Sequence, residues 1–143
     1  MRQELNSAYW ALRAVIGLTA FLAGLDKYFN LLADWTQYLN PLALAVLPLE
    51  AGTLMRGIGL VEVAVGLAVL SGWTRLGAYA ASAWLLAIAL NLVAMGQFLD
   101  VAVRDVGLSI AAYTLARLAE ARDPVSAREG VPTGTPGAIR TRA

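Results

Sequence analysis

The chain has 143 residues, none of them cysteine or histidine. Without cysteine there is no disulfide, no thiolate nucleophile and no ligand set for an iron–sulfur cluster. Without histidine, the usual axial ligand of haem and the commonest side-chain ligand of zinc and copper are missing. No metal held by protein side chains is expected, so any redox role would borrow a partner's cofactor or use a diffusible one such as a quinone. Charge is scarce as well. Asp, Glu, Lys and Arg make up 15% of the residues, against about 25% in an ordinary soluble domain. The net charge is +1, which gives none of the basic field that binding to nucleic acid calls for.

Apolar residues fill the space instead, at 59% of the chain. They gather into four runs, 7–25, 54–70, 76–95 and 99–118. Each approaches the roughly 20 residues that cross a hydrocarbon core. The expected fold is all-α: a four-helix transmembrane bundle over residues 1–122. Its solvent is the lipid bilayer. Arg2 gives the first run a positive start, but no A-x-A site follows and Arg13 interrupts it, so it reads as a span and not a cleaved leader. Residues 26–53 form a long connection carrying Trp35, Tyr38, Pro41 and Pro48. Its apolar stretch 42–47 is too short to span and reads as an interfacial or re-entrant piece anchored by the two aromatics. The connection 71–75 is short enough to make spans two and three a tight antiparallel hairpin.

Lys and Arg counting orients the spans. With both termini in the cytoplasm, Arg2, Arg13, Arg75, Arg117, Arg122, Arg128, Arg140 and Arg142 lie inside. Only Lys27, Arg56 and Arg104 lie outside, as the positive-inside rule asks. The long first connection is then extracytoplasmic. Residues 123–143 are rich in Pro, Gly, Thr and Arg and too poor in apolar residues to fold alone. This tail is expected to be ordered only on a partner.

Polar and small residues within the runs fall at helical spacings. Arg13, Gly17, Ala20, Gly24 and Lys27 share one face of the first helix. Gly59, Glu62 and Gly66 share a face of the second. Gly17, Gly24, Gly59 and Gly66 are the candidate packing positions, because small residues let helices approach closely in lipid. Ala80, Ala83, Ala87, Asn91 and Ala94 form a small-residue stripe on the third helix. On the fourth, Asp100 and Arg104 stand four apart, and Asp105 is followed by Ser109 and Ala112. Glu62 is the costliest of these, since an ionisable group inside a bilayer needs a partner or a proton. Arg13 has the reach to be that partner. Arg13, Glu62 and Asn91 are therefore the candidate intramembrane polar site. The bland alternative is an interhelical pair that only fixes the bundle, with Asn91 as a structural hydrogen bond. Asp26, Lys27, Arg56, Asp100, Arg104 and Asp105 gather toward the outer face and sum to zero charge. They read as a helix-end network, a docking site or a ligand mouth.

Three motifs carry a family resemblance. The first helix reads Arg13-x3-Gly17-x3-Phe21-x2-Gly24-x2-Lys27. The second reads Gly59-x2-Glu62-x3-Gly66, followed by Leu70 and Gly72. The fourth opens Arg104-Asp105-x-Gly107-Leu108. In this order they resemble the DoxX family of small four-helix bacterial membrane proteins, over residues 9–118. The resemblance implies a multi-pass protein of a bacterial inner membrane, associated with other membrane subunits and with redox processes. DoxX-like and DoxD-like proteins include membrane subunits of a thiosulfate:quinone oxidoreductase. No family-wide catalytic residue carries over, so the catalytic residues are unassigned. Disulfide exchange, known in related four-helix families, does not transfer to a chain without cysteine.

Three functions follow as expectations. The first is an accessory subunit of a larger electron-transfer complex, not catalytic by itself. The second is the membrane arm of a quinone-linked oxidoreductase, with Glu62 and Arg13 at a quinone or proton site. The third is a small transporter, although no internal repeat or matched pair of broken helices is present. A bound lipid is the other expected small molecule.

Overall fold

The computed structural model describes residues 2–122, and the tail 123–143 lies outside the described residues. Five α-helices make up the described chain: α1 (Arg2–Asp26), α2 (Pro41–Val46), α3 (Ala51–Leu70), α4 (Thr74–Met95) and α5 (Leu99–Arg122). A single 3-10 turn, Trp35–Tyr38, precedes α2. Three helical stretches are long and apolar enough to cross a membrane: Gln3–Asp26, Ala51–Leu70 and Thr74–Met95. α5 is as long but does not join them. Asp100, Arg104 and Asp105 crowd its first two turns, and Arg117, Glu120 and Arg122 its last two.

Local chemistry sets the helix ends. Asn40 caps α2 by accepting the Leu42 N–H at 2.9 Å, and Pro41 occupies the first helical position, where a missing N–H costs nothing. α4 stops on Gly96, whose φ of 66° is the left-handed conformation that closes a helix. Three residues, 71–73, then separate α3 from α4.

The long helices pack as two close pairs, α1 on α3 and α4 on α5, joined chiefly through α3 and α4. In lipid, association rests on van der Waals fit and interhelical hydrogen bonds, so close approach matters more than apolar area. Gly24 lies on Gly59: a Cβ built on Gly24 would stand 2.6 Å from the Gly59 carbonyl oxygen. Two turns away, a Cβ on Gly66 would stand 2.8 Å from the Gly17 oxygen and 2.6 Å from the Phe21 nitrogen. These two contacts fix an antiparallel register for α1 and α3. Gly77 does the same between α4 and α3, with a Cβ position 2.6 Å from the Val69 nitrogen.

The main core lies toward the α3–α4 turn, around Ile16, Val69, Ala78, Ala112 and Leu115. A smaller core of Ala89, Leu92 and Ala102 sits at the other end. The alanine stripe expected on α4 is displaced: Ala80, Ala83, Ala87 and Ala94 are exposed, while Gly77, Ala78, Ala81 and Ala89 are buried. A helix buried against two neighbours turns a different face inward from one packed on a single partner, and spacing alone does not choose between them. On α5 the buried face is Ala102, Asp105, Ser109, Ala112 and Ala116. Ser109 fastens it to α4 by donating to the Ser82 carbonyl at 2.8 Å.

Candidate functional site

The polarity of the molecule is inverted relative to a soluble domain. Large apolar side chains such as Leu60, Leu90 and Ile110 are more than 60% exposed. Lys27, Glu62 and Asp105 are each at most 6% exposed. Exposed apolar surface of this extent marks a partner or a membrane, and the buried charges must satisfy one another.

Lys27 answers Glu62. Its ammonium donates to Glu62 Oε2 in a buried ion pair. It also approaches the Ala23 carbonyl at 3.5 Å and sits 3.8 Å from the centre of the Trp35 ring. Lys27 is the only lysine in the chain. Gly59 makes the reach possible: a Cβ there would meet the Lys27 stem, 3.0 Å from its Cβ and 3.4 Å from its Cδ. The lysine therefore runs along α3 over a residue without a side chain and meets the carboxylate one turn on. From α4, the Trp84 indole N–H donates to the other Glu62 oxygen over 3.4 Å.

Arg13 is not the partner of Glu62. The register that lays Gly24 on Gly59 sets Arg13 level with Leu70, at the far end of α3. There its guanidinium donates to the carbonyls of Val69 (3.1 Å), Leu70 (2.6 Å) and Ser71 (2.7 Å). These are oxygens that a helix C-terminus leaves without intrahelical donors. The expected site of Arg13, Glu62 and Asn91 therefore loses Arg13, while Glu62 and Asn91 line one cleft without touching each other. Asn91 lies near the opposite end of α4, where its Nδ2 donates to the Tyr38 carbonyl at 3.1 Å and ties the long connection to the helix.

The expected outer cluster also divides. The Asp26 carboxylate takes no cation among the described residues. It accepts the Leu31 and Leu32 N–H groups at 3.0 and 2.9 Å and the Trp35 indole N–H at 2.8 Å, and so folds the start of the connection. Arg56 and Asp100 are exposed and form no ion pair among the described residues. Arg104 turns from Asp100 to its neighbour Asp105, donating to Oδ1 through Nε (3.1 Å) and Nη2 (3.0 Å). The Asp105 side chain is buried while that of Arg104 is 62% exposed.

What the structure gathers instead is Lys27, Glu62, Arg104 and Asp105, around a cleft of about 900 Å³. α1, α3, α4 and α5 all contribute to its wall, and the connection 31–47 covers one side with Leu32, Trp35, Tyr38, Ala43 and Leu47. The remaining lining is largely aliphatic, including Ile16, Met55, Ile58 and Leu108. A concave apolar cavity with a few converging polar groups is the common form of a small-molecule site. Its two cations and two anions sum to zero, so the cleft has no net charge with which to hold an ion. Exposed residues, Leu22 and Ala87 among them, also line it, so the cleft reaches the outer helix surface. No group of three or more metal-binding acidic side chains occurs among the described residues.

Trp35, Tyr38 and Trp84 were missed as site residues by sequence reasoning. The aromatics of the connection read as interface anchors, and nothing local marks Trp84. One signal was legible. Gly59 and Glu62 are three apart, as are Gly24 and Lys27, and pairing the two glycines brings the lysine beside α3. Comparison with protein-family models, curated proteins and solved structures finds no match to this chain.

Proposed function

We propose that this chain is a DoxX-like multi-pass subunit of an electron-transfer complex in a bacterial inner membrane, and that its cleft binds a quinone. In this reading α5 is the fourth span, both termini are cytoplasmic, and the cleft lies in the extracytoplasmic half. The observation that carries the proposal is the cleft of about 900 Å³ beside the buried Lys27–Glu62 pair. Its zero net charge suits a neutral head group, its aromatic and aliphatic wall suits a ring with an apolar tail, and its rim suits arrival from the acyl layer. Lys27 is the donor for a quinone carbonyl oxygen. Glu62 holds Lys27 in place and, with Asp105, is positioned to carry protons. Reduction to the quinol takes two electrons and two protons, and in this reading the electrons come from a redox partner subunit.

A second reading, an accessory subunit with no ligand of its own, has its own support. Among the described residues every fully buried side-chain nitrogen and oxygen has a hydrogen-bond partner, as a purely structural network requires. Titrating the nanodisc-reconstituted full chain with a short-tailed ubiquinone analogue separates the two. The quinone reading expects saturable binding that Glu62→Gln and Lys27→Met abolish while co-purifying subunits stay attached. Absence of saturable binding by a chain still in its complex would leave the accessory role standing alone.

A further inference from the structure

We propose that Trp35 is the gate of this cleft, and that a ligand head group takes the place of its indole on Lys27. The inference rests on reading the cleft as a ligand site. It begins from the hydrogen-bonding capacity of the lysine. An ammonium has three N–H groups. Glu62 takes one, the Ala23 carbonyl lies along a second at 3.5 Å, and the face of Trp35 covers the ammonium at 3.8 Å. As it stands, Lys27 has no donor left for an incoming oxygen. Of the three contacts, Glu62 and Ala23 belong to packed helices and cannot move without breaking the α1–α3 pair. Trp35 belongs to the connection.

The connection is built to move. Neither the 3-10 turn nor α2 contains a buried residue. Leu39 between them is the buried anchor. The other holds are few: the Asp26 carboxylate on Leu31, Leu32 and Trp35 on one side, and on the other Asn91 on the Tyr38 carbonyl and the Tyr38 ring edge-on to Phe98 at 4.7 Å, against the smaller core. Leu31 and Leu32, just before the turn, are 83% and 74% exposed. Few buried apolar contacts and a handful of hydrogen bonds describe a segment with low local opening energy. When it swings out, the indole leaves Lys27 and one N–H turns into the cleft, beside Glu62 and Trp84. A neutral acceptor such as a quinone carbonyl then replaces a cation–π contact with a charge-assisted hydrogen bond. The indole competes with the ligand and so sets a threshold: a molecule without an acceptor oxygen has nothing to offer in exchange.

Two measurements on the full chain in nanodiscs test this, with the short-tailed ubiquinone analogue as probe. The first is pulsed-EPR distance between spin labels on Gln37→Cys, in the 3-10 turn, and Gly72→Cys, at the opposite end, where an added Cβ meets nothing within 4 Å. No native cysteine competes for the label. Quinone is expected to shift the distance distribution beyond its own width. The second is affinity: Trp35→Leu removes the competitor and is expected to bind the analogue about tenfold more tightly. Binding with an unmoved label pair, or equal or weaker binding by Trp35→Leu, overturns the gate while leaving the quinone site intact. No binding by wild type or variant overturns both. The label measurement keeps Trp35 in place, and so decides the gate even where Trp35→Leu yields little folded protein.

Discussion

The two ends of this molecule are built from the same four long helices, yet one is closed and the other open. At the α3–α4 turn, Gly77 lets α4 lie against the backbone of α3, and Val69 and Leu115 are fully buried. Arg13 there donates to three backbone carbonyls. At the end carrying the long connection, the helix pairs part around the cleft, and the charges meet side chain to side chain across it. The contrast separates two uses of a cation in an apolar protein. One ends a helix; the other holds a carboxylate beside empty space. Burial alone does not make the distinction, although Lys27 is buried and the Arg13 contacts are half-buried or exposed. The nature of the acceptor does.

The comparison can be broken most severely at Glu62. Glu62→Ala leaves Lys27 buried without its carboxylate, and removal of one member of a buried pair costs about 3–5 kcal/mol. Steric-trap or denaturant unfolding in detergent checks this. The double variant Lys27→Met/Glu62→Leu is expected to recover most of the loss, since a well-packed apolar pair can replace a buried ion pair. Recovery of stability without recovery of quinone binding would assign the pair to the ligand. If the double variant unfolds as readily as Glu62→Ala, the pair is structural.

At the closed end the corresponding change is Gly77→Ala. Its Cβ would stand 2.6 Å from a backbone nitrogen that cannot step aside, and overpacking of this kind costs about 1–3 kcal/mol. Gly57→Ala, with nothing within 4 Å of the added atom, serves as its control. Equal midpoints for the two would mean that the closed end yields as easily as the open one. The smallest effect belongs to the connection. Asn91→Ala removes one hydrogen bond to the Tyr38 carbonyl and is expected to cost about 1 kcal/mol. Its readout is local: faster labelling of a cysteine placed at Leu39, with the global unfolding midpoint nearly unchanged. A midpoint drop as large as that of Gly77→Ala would show that the connection is part of the core.

The four long helices were legible because each carries an apolar run near membrane length, and their ends fall within a few residues of the expected limits. The status of α5 was less so, because its hydropathy is diluted by charges at both ends. The glycine contacts could be anticipated from spacing, since a glycine on each of two facing helices allows backbone approach. The partner of Glu62 could not. Arg13 and Lys27 lie on the same face of α1, and choosing between them needs the register of α1 against α3, which the pairings of Gly24 with Gly59 and of Gly17 with Gly66 supply. Asp26 and Lys27 are adjacent yet serve unrelated ends, one folding the connection and the other crossing to α3. Nothing in their order announces that split. The cleft itself is a property of how two pairs of helices fail to meet, and no single run of residues encodes it.

The carbonyl cradle around Arg13 has a consequence for how the chain is made. Arg13 and Lys27 both emerge on α1, and their acceptors follow 56–58 and 35 residues later, all on α3 or the turn beyond it. During synthesis, α1 therefore enters its environment with two cations whose main acceptors are still unmade, Arg13 having only the neighbouring Trp10 ring at 4.8 Å and Lys27 the Ala23 carbonyl at 3.5 Å. Both are satisfied only when α3 has been added. The first folding unit is thus not a single helix but the α1–α3 hairpin, and a ribosome paused before Ser71 holds a nascent chain whose first helix is still waiting for its last acceptor.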